Sequence, residues 1–224
     1  MKALYVIDMN NGFVNEGAMA NKEYNKLVPE QLKTIEHVRN DGGVVNFVLE
    51  GHKVNSQEFK NYPVHCVLGT SESELIPELD RVKDGSNIYY KNCINGMLNR
   101  KLQDDIKALK GLREIIIEGV CADLCVMDFA RTLARYLDEL DMETKIFVVK
   151  SAIDTFDSSD HNRETWLEIA RMVMEQAGIE YVEDVNELKQ KNLSYGQWMD
   201  FEDRRTYRDE SDPTEMPDED EYGV

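Results

Sequence analysis

The chain predicts an α/β fold: a mostly parallel sheet of about six strands between two layers of helices, a three-layer α/β/α arrangement of Rossmann-like kind. Three observations carry this. Short apolar runs and amphipathic stretches alternate at least five times along the 224 residues, the order produced by right-handed crossovers between parallel strands. Several runs are continuous in β-branched residues, as in Ile115-Ile116-Ile117, and such strands belong where both sheet faces are covered. Glycines close the helical stretches at Gly42-Gly43, Gly111 and Gly178.

In chain order, Ala3 to Ile7 reads as the first strand, closed by Asp8, with a turn at Asn10-Asn11-Gly12. A carboxylate at the end of a central parallel strand points into the crevice where open α/β sheets keep their sites, although Asp also serves there as a turn cap. Pro29 opens a helix whose apolar stripe is Leu32, Ile35 and Val38. Val44 to Leu49 is the second strand and runs into Glu50-Gly51-His52. Ser86 to Tyr90 is the third and ends at Lys91. Leu98, Leu102, Ile106 and Leu109 make the next helical stripe, and Glu114 to Glu118 is the fourth strand. Val126, Phe129, Ala130, Leu133, Leu137 and Leu140 follow at helical spacing, so a helix is expected to begin at about Asp123 to Cys125. Lys145 to Val149, a helix through Trp166, Ile169, Ala170, Val173 and Ala177, and Ile179 to Val182 complete the alternation.

A formal net charge of -18 argues against a nucleic-acid backbone as partner. Between Asp200 and Val224 eleven acids face three arginines, and so polar a stretch buries too little apolar surface to offset its ordering entropy. The expected division is a folded domain at 1–194 and an acidic tail at 195–224, flexible or docked on a partner subunit of a homo-oligomer. Four scattered cysteines make no disulfide framework, the start has no secretory pattern and no stretch spans a bilayer, so a cytoplasmic protein without membrane contact is expected. No glycine-rich phosphate loop is present.

Three groups bearing chemistry fall at strand ends: Asp8, Lys91 and Cys125. A thiol in the first turn of a helix feels free N–H groups and the positive end of the dipole, which favour thiolate, whereas a lone Cys after an apolar strand also serves as a small buried hydrophobe. Attack on a carbonyl needs a base for the thiol proton and a cation, and this set supplies both. Glu50, His52, Glu58 and His65 lie within sixteen residues of weak periodicity. Imidazole with carboxylate suits zinc, manganese or iron; solvated loop polars are the alternative. His161 and His37 read as surface or capping residues, Cys66 as packing beneath His65, the Cys121 side chain as structural, and Cys93 as near the site without a role.

These residues resemble the isochorismatase-like cysteine hydrolases, and within them the nicotinamidases, over roughly Met1 to Asp184. The resemblance rests on Val6-Ile7-Asp8 with Phe13 shortly after, on Tyr90-Lys91-Asn92, and on Gly119-Val120-Cys121-Ala122-Asp123-Leu124-Cys125-Val126. It implies an isochorismatase-like architecture with Cys125 as nucleophile, Asp8 as base and Lys91 as the cation beside the thiolate. It further implies a cis peptide at Val120-Cys121 and an oxyanion hole from the backbone N–H groups of Cys121 and Cys125. The metal ligands implied are Glu50, His52, Glu58 and His65, holding a divalent ion, zinc first, against a pyridine nitrogen. Phe13 and Tyr62 fall where the family places aromatic walls. The implied activity is hydrolysis of nicotinamide, or a close aromatic amide, through a Cys thioester. A hydrolase of another small amide or ester and a non-catalytic binding subunit are the other readings. Glu50 stands where Asp is the rule, which is expected to disturb the metal site; Ala122 stands in place of Thr, and Tyr62 in place of Trp.

Overall fold

The computed structural model describes residues 1–191, and every strand expected from the apolar runs forms and pairs. β1 (Lys2–Ile7), β2 (Val44–Glu50), β3 (Asn87–Lys91), β4 (Glu114–Gly119), β5 (Lys145–Ile153) and β6 (Glu180–Val182) make one sheet in the order β3-β2-β1-β4-β5-β6. All five pairings are parallel. The chain moves outward from β1 through β2 and β3, then returns to the other side of β1 at β4. That reversal opens a crevice at the carboxyl ends of β1 and β4, where ligands of open α/β sheets bind. The acidic stretch expected from residue 195 lies outside the described residues.

Alternation along the strands sorts the core into two layers. Leu4, Val6, Phe47, Leu49 and Ile116 pack on one face of the sheet with Ile35 and Val38 of α2 (Val28–Asn40), which follows the one-turn α1 (Asn11–Val14). Leu79 of α3 (Pro77–Asp80) joins them. On the other face Tyr5, Ile7, Val48, Ile115 and Ile117 meet Leu102 and Ile106 of α4 (Arg100–Ala108) and Phe129 and Leu133 of α5 (Met127–Glu139). Ala170 and Met174 of α6 (Arg163–Glu175) complete that layer. Asn99 and Asn162 cap α4 and α6 by accepting from the N–H groups of Leu102 and Thr165 at 3.2 and 2.9 Å.

Two boundaries differ from expectation. β5 continues to Ile153 because a register irregularity opposite Ile117 and Gly119 lets Gly119 pair with Ile153, past the exposed Lys150 and Ser151 that break the apolar pattern. Leu98 does not open the fourth helix; it sits 63% exposed in a separate turn, and the capping Asn99 starts the helix after it.

Glu118 of β4 is fully buried beside Glu30 and Thr34 of α2, and neither of its carboxyl oxygens has a hydrogen-bond partner. The Thr34 hydroxyl donates to the Glu30 carbonyl instead, at 3.2 Å. Burial pushes the Glu118 carboxyl up to about 8, with Thr34 opposing. A carboxyl raised on folding stabilises the protein below its unfolded value and loses that contribution as pH rises through the folded value. Relative to Glu118→Gln, the wild-type chain should therefore lose stability from about pH 4.5 upward, on the order of 3 kcal/mol by pH 7. Urea unfolding of both proteins across this range measures it, and parallel curves would contradict the assignment.

Candidate active site

Four strand ends deliver the charged groups to one place. Asp8 follows β1 with φ of 52°, a left-handed conformation that turns the chain sharply out of the sheet. Glu50 and Lys91 are the last residues of β2 and β3 and lie beside each other in register. Cys125 follows β4 in the connection to α5. The helix starts where expected but with a wider π-type turn: Ala122–Val126 form it, with the Val126 N–H donating to the Cys121 carbonyl at 3.1 Å, and regular α-helix follows from Met127. Gly119 allows that turn to begin, since its φ is 119° and a Cβ there would lie 2.0 Å from the Ile7 carbonyl oxygen. The Val120–Cys121 peptide is cis. The Ala122 N–H is taken by the Asp154 carbonyl at 2.9 Å, which ties the turn to the end of β5.

The Lys91 ammonium is the hub of the cluster. It stands 2.8 Å from Asp8 Oδ2 and 2.8 Å from Glu50 Oε1, and donates to Cys125 Sγ at 3.6 Å. One oxygen of Asp8, one of Glu50 and Cys125 Sγ all lie within 4.8 Å of one another. All four residues are buried. Burial alone would lower the Lys91 pKa, but Asp8, Cys125 and Glu50 hold it well above its ordinary value. Burial pushes the Asp8 carboxyl up to about 7 against the opposing pull of Lys91. Burial, with Asp8 and Glu50 adding, drives Cys125 well above the free thiol range, and Lys91 only partly offsets this. Taking the proton from sulfur in such surroundings falls to a base as the thiol reacts.

The second cluster adjoins the first through Glu50. His52 and His65 are buried with their Nε2 atoms 3.2 Å apart. Glu50 Oε1 lies 3.3 Å from His52 Nε2, Glu50 Oε2 3.5 Å from His65 Nε2, and Glu58 Oε1 3.8 Å from His52 Nε2. The loop is folded back by the His52 N–H donating to Cys66 and the Leu68 N–H to His52, both at 2.9 Å. His65 Nδ1 faces the Pro63 carbonyl at 2.7 Å, which places its hydrogen there and leaves the Nε2 lone pair turned inward. Four ligands at about 2.1 Å in a tetrahedron stand about 3.4 Å apart, so this set fits a divalent ion. One Glu50 carboxylate faces both imidazoles and Lys91. Burial would raise the Glu50 carboxyl, but Lys91 and the two imidazoles hold it well below the usual range.

A cavity of about 540 Å³, within the range of small-molecule sites, opens over both clusters. Phe13, Tyr62, Glu50, His65, Cys121 and Cys125 line it, which places both residues expected as aromatic walls at the cavity. Three contributors were not foreseen. Asn10, read as a turn residue, brackets Glu50, donating to its carbonyl at 2.9 Å and accepting from its N–H at 3.1 Å. His161, read as a surface or capping residue, is largely buried and faces Asp123 of the Cys125 turn at 2.8 Å. Arg163 pairs with Glu23, and both line the cavity. Nothing in the spacing marks these three, because each partner is distant in the chain. Cys66 is buried, as expected, Cys93 Sγ faces the Asn95 carbonyl at 3.6 Å, and His37 lies beside Lys2.

The isochorismatase domain model matches residues 2–178. The chain belongs to this family. Its isochorismatase-family relatives include Nicotinamidase 1 of Arabidopsis thaliana, 30% identical over 174 residues that cover 70% of this chain and 71% of the relative. Among solved structures, an N-carbamoylsarcosine amidase from Thermoplasma acidophilum is 28% identical with a TM-score of 0.64, covering 80% of this chain and 94% of that one. A pyrazinamidase of Pyrococcus horikoshii, solved in complex with zinc, shares the fold at 23% identity and a TM-score of 0.66, over 81% of this chain and 98% of that one. No helix among the described residues is long and apolar enough to cross a membrane.

Proposed function

We propose that this isochorismatase-family hydrolase is a cysteine amidohydrolase that converts nicotinamide, or a close aromatic amide, to the acid and ammonia. The observation that supports this best is the meeting of Asp8, Lys91 and Cys125 in one buried cluster under an aromatic-walled cavity. Asp8 takes the Cys125 proton as sulfur attacks the amide carbon, while Lys91 holds the developing thiolate charge. The N–H groups of Cys121 and Cys125 receive the oxyanion, each worth about 3 kcal/mol of barrier. Asp8 then returns the proton to the leaving nitrogen, ammonia departs and a thioester remains. Water attacks that thioester with Asp8 again as base, releasing the acid and restoring the thiol. Glu50, His52, Glu58 and His65 would hold a divalent ion, zinc first and manganese or iron as the alternatives, and such an ion supplies a Lewis-acid contact for a pyridine nitrogen.

Ammonia release from nicotinamide, matched by nicotinate, tests the reaction, with Cys125→Ala expected to abolish it. His52→Ala is expected to weaken binding of nicotinamide at least about tenfold more than binding of benzamide, since only the former has a ring nitrogen to ligate. Equal losses for the two would remove the ring nitrogen from recognition. Glu50 in place of Asp, and the likeness to an N-carbamoylsarcosine amidase, favour as a second reading a different small amide or ester. A panel of amides and esters separates the two by which one turns over fastest.

A further inference from the structure

The β5–α6 connection carries a column of three rings that the proposed reaction does not use. Phe156 lines the cavity. Its ring stacks on the His161 imidazole with centroids 3.8 Å apart and planes 14° from parallel. His161 in turn stacks on Trp166 of α6, at 4.9 Å and 1°. The middle ring is locked from both edges, with Nε2 at 2.8 Å from Asp123 Oδ2 and Nδ1 at 3.1 Å from the Phe156 carbonyl oxygen. The other oxygen of Asp123 accepts from the Thr155 hydroxyl. Asp123 is buried and stands two residues before Cys125 in the same turn.

From this we propose that Phe156 is a further substrate wall that sets selectivity for aromatic over aliphatic amides, and that His161 and Asp123 are positioning residues that fix it relative to Cys125. The inference deepens the amide-hydrolase reading and rests on it for the identity of the ligand. A cavity-lining ring held by stacking on a second ring has little freedom left to lose on binding, so an aromatic ligand gains the contact without an ordering cost. Because one carboxylate joins the nucleophile turn to the ring column, the wall and the sulfur keep a constant separation, the condition for holding a flat amide in line for attack.

The test compares kcat/KM for nicotinamide with that for acetamide, which has no ring to lean on the wall. Phe156→Ala is expected to lower the nicotinamide-to-acetamide ratio about tenfold, mostly through KM, the size of a lost aromatic contact. Phe156→Tyr should restore the ratio to within about twofold, and Phe156→Leu should not. His161→Ala is expected to lower the ratio about fivefold, and the double variant to be no worse than Phe156→Ala alone, since residues acting through one another are not additive. His161→Gln, which keeps a donor for Asp123, serves if the alanine variant does not fold. A parallel arm measures nicotinamide binding to Cys125→Ala by calorimetry, where adding Phe156→Ala should weaken it about tenfold; this arm decides the matter even if the wild-type chain releases no ammonia. A ratio and affinity unchanged within twofold, losses that multiply in the double variant, or no measurable binding of nicotinamide to Cys125→Ala would each overturn the proposal.

Discussion

Replacing Asp8 by Asn is expected to lower kcat for amide hydrolysis by about three orders of magnitude or more, while nicotinamide binding changes only a few fold. The reasoning starts from the thiol. Cys125 lies in a buried site whose desolvation and neighbouring carboxylates push the thiol pKa up, so attack calls for a partner that removes the proton. An oxygen of Asp8 is within 4.8 Å of the sulfur, and burial has pushed this carboxyl up to about 7, near the pH at which a base both accepts and returns a proton efficiently. Neither Asp8 oxygen is engaged in an aligned hydrogen bond, although Lys91 Nζ stands 2.8 Å away. Asn has the same shape and cannot take the proton. General-base steps contribute about 10²–10⁴ in rate, and here the same group serves leaving-group protonation and thioester hydrolysis as well. Stopped-flow ammonia release and calorimetric titration on Asp8→Asn separate rate from binding; a kcat within tenfold of wild type would take the base role away from Asp8.

Replacing Lys91 by Met is expected to cost about 3–5 kcal/mol of stability together with nearly all activity, because it leaves buried carboxylates without their counter-ion. Lys91 is buried with Asp8 and Glu50 each 2.8 Å from its nitrogen. Removing one cation thus strands two acids, whereas a surface pair would cost under about 1 kcal/mol. Urea unfolding followed by circular dichroism reads the difference in midpoint at constant slope. A loss below about 1 kcal/mol would mean that the two acids are neutral, or solvated, in the folded chain.

The strand-end groups were legible in the sequence for a simple reason. In a parallel sheet every strand points the same way, so a charged residue that closes an apolar run must emerge on the same edge as every other such residue. Asp8, Glu50, Lys91 and Cys125 could be paired on that rule without knowing the strand order. His52 and His65 were legible because they crowd one short loop with Glu50 and Glu58. Asn10, His161 and Arg163 were not, since their roles consist of contacts with Glu50, Asp123 and Glu23, and a contact across tens of residues leaves no period or spacing behind. The surroundings of Cys125 were not legible either, for a related reason. A helix end can be located from periodicity, but the depth of burial and the two carboxylates beside the sulfur belong to the packed molecule.

By itself, then, the sequence determined the layered α/β class, the edge of the sheet on which the chemistry gathers and the residue types gathered there, because hydrophobic period and strand polarity are properties of local runs. Tertiary structure alone decided that Lys91 is shared by two carboxylates and a thiol, that Glu50 joins the imidazole cluster to that hub, and that the Cys125 turn is clamped through Asp123 to the loop after β5. Those outcomes depend on distances between chain-remote groups in a medium that excludes water, where each charge is felt strongly by its neighbours.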